Sequence, residues 1–284
     1  MRCQVLTDAA GFWRLSSAFL LADPVLNHVI LTTIASRLQD PDAAREREVF
    51  AALVDGSGAV VGAAMRTPPY QAYISAMPPE AVETLVDALL SACPDNAGVG
   101  GTVGEADAFA AAWARRTGAR IETRMRQRIH RLDEPTPPRP AAAGGWRQAG
   151  AADRDLLVRW SEAFEREAEG HVSGEVVGAV ASRLAGGRAF LWESGGEPVC
   201  YAARTAAEGG VVRIGPVYTP PAHRRHGFAA ALVFAIGESA LAGGAERLML
   251  YTDLANPTAN RVYHRIGYRP FADVALLAFS APPA

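Results

Sequence analysis

Apolar residues along this chain come in short blocks, and the spacing inside the blocks changes between two periods. In the second half, brief runs rich in β-branched, aromatic and aliphatic residues at 189–193, 198–205, 211–219, 246–252 and 268–279 read as strands. Between them lie stretches with three-to-four spacing. Residues 153–168 place Leu156, Leu157, Trp160, Ala163 and Phe164 on one helical face. Further helices are predicted over 175–184, 228–241 and the residues after Asn256, and a short strand over 146–149. The first half shows a strand, Gly-rich turn, strand pattern over 53–67, a strand around 72–76, a helix over 81–92 and another over 106–118.

The two halves resemble each other. Leu53–Thr67 lies beside Leu191–Thr205 without a gap, at a shift of 138, and Ala106–Gly118 lies beside Ala255–Gly267 at a shift of 149. Between them, residues 133–145 hold four prolines and two glycines, a linker that is semi-rigid at first and flexible at its end. The division predicted is therefore 1–132, a linker at 133–145, and 146–284. The larger shift downstream means that the second half has extra residues between the two landmarks. Chance matching of short apolar strings is one reading. The other is a tandem duplication.

The extra residues carry the candidate chemistry. The strand at 211–219 is stopped by Pro220 and Pro221 and followed by Arg224-Arg225-His226-Gly227 and an Ala-rich helix. A glycine turn at a helix N-terminus presents backbone N–H groups and a favourable dipole to phosphate. The string is Arg-x-x-Gly-x-Ala, from Arg224 through Gly227 to Ala229. After the next strand, Asn256 reads as an N-cap with Pro257 behind it, and Gly267 as a helix-ending residue. The first half passes from 72–76 through Met77-Pro78-Pro79-Glu80 straight into a helix, with no such string, and Ala114 stands where Tyr263 stands in the second copy.

Arg224–Ala229, together with the series Asn256, Ala259, Tyr263, Gly267 and Tyr268, resembles the GCN5-related N-acetyltransferase (GNAT) family. The likeness covers about the last half of the chain. It implies an α/β (α+β) fold of two tandem acetyltransferase-like domains, each a mixed, mostly antiparallel sheet flanked by helices. The first copy would have lost its coenzyme site. The implied co-substrate is acetyl-CoA, with no metal. The resemblance assigns backbone pairing with the pantetheine arm to Val217 and Thr219. Arg224, Arg225, His226, Gly227, Phe228 and Ala229 would form the pyrophosphate loop, and Asn256 and Asn260 would touch the coenzyme. Gly215-Pro216 sits where the family strand bulges. Tyr263 would be the general acid that protonates the leaving thiolate. Ala229 departs from the commoner second glycine. Each of these has a structural alternative: a kinked strand end for Gly215-Pro216, a helix cap for Asn256, a core ring for Tyr263.

No general base stands out. Glu193 is a candidate, and Glu162, Glu165 and Glu169 share a helix face that could attract an amine cation or be merely solvated. His223 and His226 are too few for a zinc site. The implied reaction moves acetyl to an amine of a small molecule or a peptide. The alternatives are an acetyl-CoA-binding sensor or scaffold without transfer, and a tandem acetyltransferase of the mycothiol-synthase type.

Composition narrows the partners. The chain has 284 residues, 49% of them hydrophobic, which is enough for two domains. Lys+Arg 28 against Asp+Glu 30 leaves no basic excess for nucleic acid. Cys3, Cys93 and Cys200 form no metal or disulfide framework, as suits a reducing cytoplasm. No signal segment and no membrane-spanning run is evident. The expectation is a cytoplasmic protein without a membrane partner, its oligomeric state not readable.

Overall fold

One ten-element order, strand–helix–helix–three strands–helix–strand–helix–strand, occurs twice along the chain in the computed structural model, which describes residues 1–40, 47–132 and 134–281. Its first occurrence runs β1 (Arg2–Leu6), α1 (Ala9–Ala22), α2 (His28–Gln39), β2 (Val49–Val54), β3 (Val60–Arg66), β4 (Ala72–Ile74), α3 (Pro79–Ala92), β5 (Gly98–Thr102), α4 (Val103–Thr117) and β6 (Arg120–Leu132). The second runs β7 (Gly145–Gln148), α5 (Arg154–Glu169), α6 (Val176–Ala185), β8 (Ala189–Ser194), β9 (Glu197–Arg204), β10 (Val211–Tyr218), α7 (Phe228–Ala242), β11 (Arg247–Asp253), α8 (Pro257–Arg265) and β12 (Tyr268–Ser280). Asp133, the first linker residue, lies outside the described residues.

The chain forms two compact units. The first comprises Met1–Ile129, Thr252–Ala255 and Phe271–Ala284, and the second His130–Tyr251 and Asn256–Pro270. The first unit has strand order β1-β2-β3-β4-β5 and then β12. Every pair is antiparallel except β4 with β5. Strand β2 is buried along its length. Alternate side chains of a strand point to opposite faces. Val49, Ala51 and Leu53 therefore enter a core with Leu85, Phe109 and Trp113 of α3 and α4, while Phe50 and Ala52 enter one with Phe12, Leu20 and Ile34 of α1 and α2. A strand covered on both faces reads as an unbroken apolar run, and Val-Phe-Ala-Ala-Leu-Val is one.

The last strand of this sheet comes from the far end of the chain. β12 pairs with β5 from Val274↔Thr102 to Ala278↔Gly98. Gly98 makes the approach possible, since a Cβ there would lie 2.2 Å from the Leu277 carbonyl oxygen. Arg128 grips Asp273 with two bonds of 2.7 and 2.8 Å.

The second unit has strand order β11-β10-β9-β8-β7, mixed in the same way. β9 alternates as β2 does. Cys200 and Ala202 face the core of α7, and Tyr201 and Ala203 face that of α5 and α6. Helix α7 has buried residues in every turn, in keeping with an Ala- and Leu-rich sequence that lacks a polar face. His130 to Leu132, from β6, complete this unit. Leu132 joins the core of Tyr263, Ile266 and Tyr268, and His130 Nε2 donates to Asn260 Oδ1 at 3.0 Å.

A fragment cut at the linker, residues 146–284, loses His130–Leu132 and leaves the β12 residues Val274, Ala275 and Leu277 without β5. It is expected to be poorly soluble when expressed alone, as measured by the soluble fraction and size-exclusion profile. A monodisperse, cooperatively folding fragment would contradict this.

Candidate functional site

The second unit opens where β10 parts from β11. The two strands run parallel through Val211↔Arg247, Val212↔Leu248 and Arg213↔Met249, and no further pair follows among the described residues. On its other side β10 stays with β9, but out of step. Ile214 faces Arg204 and Val217 faces Ala202, so three steps on β10 match two on β9. This is a β-bulge at Gly215-Pro216. Gly215 has φ +147, a conformation that L side chains rarely adopt, and nothing lies within 4 Å of where its Cβ would be. Conformation therefore requires the glycine, and the space beside it is open. A bulge of this kind bends its strand and frees backbone groups from the ladder. Val217 follows it on the strand and Thr219 lies just past the strand's end, both half-buried.

Beyond Thr219 the chain makes one 3₁₀ turn, Pro221–His223, and enters the loop. Arg225 at φ +69 and Gly227 at φ +82 are left-handed, and Gly227 is the N-cap of α7 without any side-chain cap. Left-handed residues among right-handed ones turn successive N–H groups toward a common concavity. The first bond of the helix runs from Ala231 N to Gly227 O at 3.0 Å. Ahead of it, among the described residues, the N–H groups of Arg225, His226, Gly227, Phe228 and Ala229 meet no protein acceptor. The mouth is open at Gly227, whose Cβ would find only Ala142 Cβ at 3.9 Å. Phe228 is buried and stacks on His226 at 5.6 Å, which anchors the helix start.

The other residues singled out by sequence have partners of their own. Arg224 is tied to Thr219 O and to the Glu167 carboxylate. Asn256 caps α8, its Oδ1 accepting from Ala259 N at 3.0 Å, and its carbonyl accepts from Asn260 Nδ2 at 2.8 Å. Both asparagines thus build the start of α8. Glu193 is held by Arg147 Nε at 2.6 Å, away from the slot. Glu165 accepts from Ser173 N at 2.7 Å and Oγ at 3.1 Å, closing the turn after α5. Glu162 is half-buried on the same helix, and the Glu169 side chain lies outside the described residues. Glu167 was passed over in the sequence; its partners Tyr218 and Arg224 are 51 and 57 residues away, and no local pattern marks it.

Tyr263 sits on α8 with 9% of its surface exposed. Its ring meets that of Tyr268 edge-on at 6.1 Å. Burial raises its phenol well above the ordinary range, and the Cys200 thiol adds to the rise. Tyr268 is raised likewise, and its buried hydroxyl has no partner among the described residues. The Thr219 hydroxyl donates to Cys200 Sγ at 3.2 Å, and burial pushes that thiol up to about 12. Cys200 and Tyr263 thus share one core, and Thr219, just past the end of β10, reaches the Cys200 thiol.

The first unit closes the equivalent place. After β4, Ser75 N donates to Ala63 O at 2.8 Å, and Ser75 Oγ accepts from Ala63 N at 2.9 Å. Glycines in β5 let the backbones touch, since a Cβ on Gly101 would lie 2.9 Å from the Ile74 carbonyl oxygen. Helix α3 begins at Pro79 behind Pro78, so its start offers no glycine nest. Among the described residues no group of His, Cys, Asp or Glu could hold a metal ion, and no helix is long and apolar enough to cross a membrane.

Residues 148–268 match the acetyltransferase (GNAT) family. Among solved structures, the fold is shared with a GNAT-family acetyltransferase from Colwellia psychrerythraea, 10% identical at TM-score 0.62 over 98% of this chain and 99% of that one. It is shared with a GCN5-related N-acetyltransferase from Kribbella flavida, 20% identical at TM-score 0.54 over 90% and 96%. A tandem GNAT protein from the clavulanic acid biosynthesis pathway aligns over 100% and 99%, at 14% identity and TM-score 0.55. No curated protein matches. The family match lies within the second half of the chain, and the tandem arrangement of the fold has a structural counterpart.

The buried thiol and phenols set a direction for pH. Their folded pKa values exceed those of the unfolded chain, which lie at about 8.5 for cysteine and about 10 for tyrosine. The neutral forms are favoured by folding, so this stability is fully present below the unfolded values and is lost as pH rises through them. Urea unfolding should show a falling free energy from pH 8 to pH 10.5, and Cys200 should resist iodoacetamide at pH 8 until the chain is unfolded. Rapid labelling of Cys200 in the folded protein would contradict the burial.

Proposed function

We propose that this chain, whose second half carries the GNAT family match, is an acetyl-CoA-dependent N-acetyltransferase acting on an amine of a small molecule or peptide. The observation that carries the reading is the row of N–H groups at Arg225–Ala229, without a protein acceptor among the described residues, at the start of α7. Such a row attracts a diphosphate through aligned donors and the helix dipole. A Cβ at Gly215 would meet nothing within 4 Å and one at Gly227 only Ala142 Cβ at 3.9 Å, which supports room for a ligand beside each. Bound there, acetyl-CoA would supply an activated acetyl thioester.

The protein's own part is to place and to protonate. Val217 and Thr219 offer backbone groups to an extended arm, as a strand edge does to a peptide. The N–H of Val217, just beyond the bulge, is suited to polarise a thioester carbonyl. Tyr263, like any tyrosine, carries its proton at neutral pH, and burial makes the phenol a weaker acid still. It passes that proton to the forming thiolate only in concert with its return from the amine that loses one in the transfer. The acetyl group moves directly to the amine. The first unit, its cleft closed by Ser75 and Gly101, is not expected to bind coenzyme.

Calorimetric titration should give one acetyl-CoA per chain, and a stoichiometry near two would contradict the closed first unit. Gly227→Asp sets a carboxylate at the mouth and should abolish binding. Tyr263→Phe keeps the ring and its packing. Coenzyme affinity should then hold while turnover with a true amine acceptor falls roughly 100- to 10,000-fold. Wild-type turnover, under conditions where chemistry limits the rate, would remove Tyr263 from the mechanism. The acceptor is to be sought by thiol release against amines, polyamines, amino acids, aminoglycosides and peptides.

A further inference from the structure

The motif assigns Arg224 to phosphate, yet its guanidinium is already occupied. Nη2 reaches Glu167 Oε1 at 3.0 Å and Oε2 at 2.7 Å, and Nε donates to the Thr219 carbonyl at 2.9 Å. The guanidinium carbon lies 5.9 Å from the centroid of the Tyr218 ring. The Tyr218 hydroxyl donates to the same Glu167 Oε1 at 3.4 Å. One carboxylate on the last turn of α5 therefore collects a cation from the start of the loop and a phenol from the end of β10. The Trp160 ring, two turns back on α5, packs against Tyr218 at 6.2 Å and holds helix and strand in register.

Resting on the coenzyme reading above, we infer that Glu167 is a positioning residue for the coenzyme loop. It holds Arg224, and through Arg224 the first loop residue, against the end of β10. The N–H groups of Arg225–Ala229 are thereby presented in formed geometry. An ion pair with both side chains partly exposed contributes little to folding by itself. Its value here is geometric. A loop already held does not have to be ordered when the ligand arrives, and that cost is removed from binding. Arg225, which follows directly, is a non-glycine residue in left-handed conformation, and such a strained position persists only where the surroundings fix it.

This role and a direct phosphate contact by Arg224 predict opposite signs. If Glu167 merely competes with phosphate for Arg224, then Glu167→Gln frees the guanidinium and coenzyme binds more tightly. If Glu167 holds the loop, the same change weakens binding. The experiment is calorimetric titration of the full chain with CoA, alongside steady-state kinetics in acetyl-CoA, for wild type, Glu167→Gln, Arg224→Gln and the double variant. Glu167→Gln should raise the CoA dissociation constant roughly three- to fivefold, with the loss appearing in KM for acetyl-CoA rather than in kcat. Arg224→Gln should lose about as much, and the double variant no more than Arg224→Gln alone, because the two act as one unit. Should Glu167→Gln fold poorly, Glu167→Asp keeps the test decisive: its shorter carboxylate should weaken CoA binding if Glu167 holds the loop and leave it unchanged or tighter if it competes with phosphate. Unchanged or tighter CoA binding by Glu167→Gln, or additive losses in the double variant, overturns the inference while leaving the coenzyme reading in place. Failure of the wild-type chain to bind CoA overturns both.

Discussion

A helix that begins without a cap leaves N–H groups in need of acceptors, and the start of α7 is such a place. The need is created by backbone conformation. Gly227 at φ +82 ends the loop in a form that gives the helix no side-chain acceptor, and Arg225 two residues earlier is also left-handed, at φ +69. An aligned row of donors with a helix dipole behind it is a fixed positive field, and it asks for an anion. The rest of the second unit is arranged around that demand. Phe228 seals the helix start into the core, the bulge at Gly215-Pro216 opens β10 from β11, and the Glu167–Arg224–Tyr218 cluster holds the strand end to the loop.

The same order of elements has a different outcome in the first unit. There the strand runs almost directly into Pro78-Pro79, and Ser75 ties it to β3 with two hydrogen bonds. The glycines of β5 replace side chains that would have propped the strands apart. An equal number of strands and helices thus gives a slot in one case and a sealed core in the other. The difference lies in a few residues at the strand–helix turn, where site chemistry is set independently of fold.

Much of this was legible in the sequence because the signals were local. Alternation and three-to-four spacing marked the strands and helices of the second half, and Gly227 and the Asn256-Pro257 pair marked where α7 and α8 begin. The loop ahead of α7 was visible because glycine and a proline stop sit within a dozen residues. What could not be read was everything that joins distant positions. No periodicity says that the residues after Pro270 pair with Gly98–Thr102, or that His130–Leu132 join the core of Tyr263. The carboxylates picked out on α5 were chosen for spacing along the helix, whereas Glu167 matters through contacts across more than fifty residues. Asn256 and Asn260 show the converse, since a motif names them for the coenzyme and the structure gives each a hydrogen bond at the start of α8.

The central claim is that main-chain N–H groups at Arg225–Ala229 receive the coenzyme diphosphate. Amide chemical shifts of the ¹⁵N-labelled full chain, followed as CoA is added, test it residue by residue. The account predicts saturable shifts at Arg225, His226, Gly227, Phe228 and Ala229, with the amides of Met77, Glu80 and Ala81 at the corresponding turn of the first unit unmoved. Shifts centred on the first unit, or a bound state in which the 225–229 amides do not move, would contradict it.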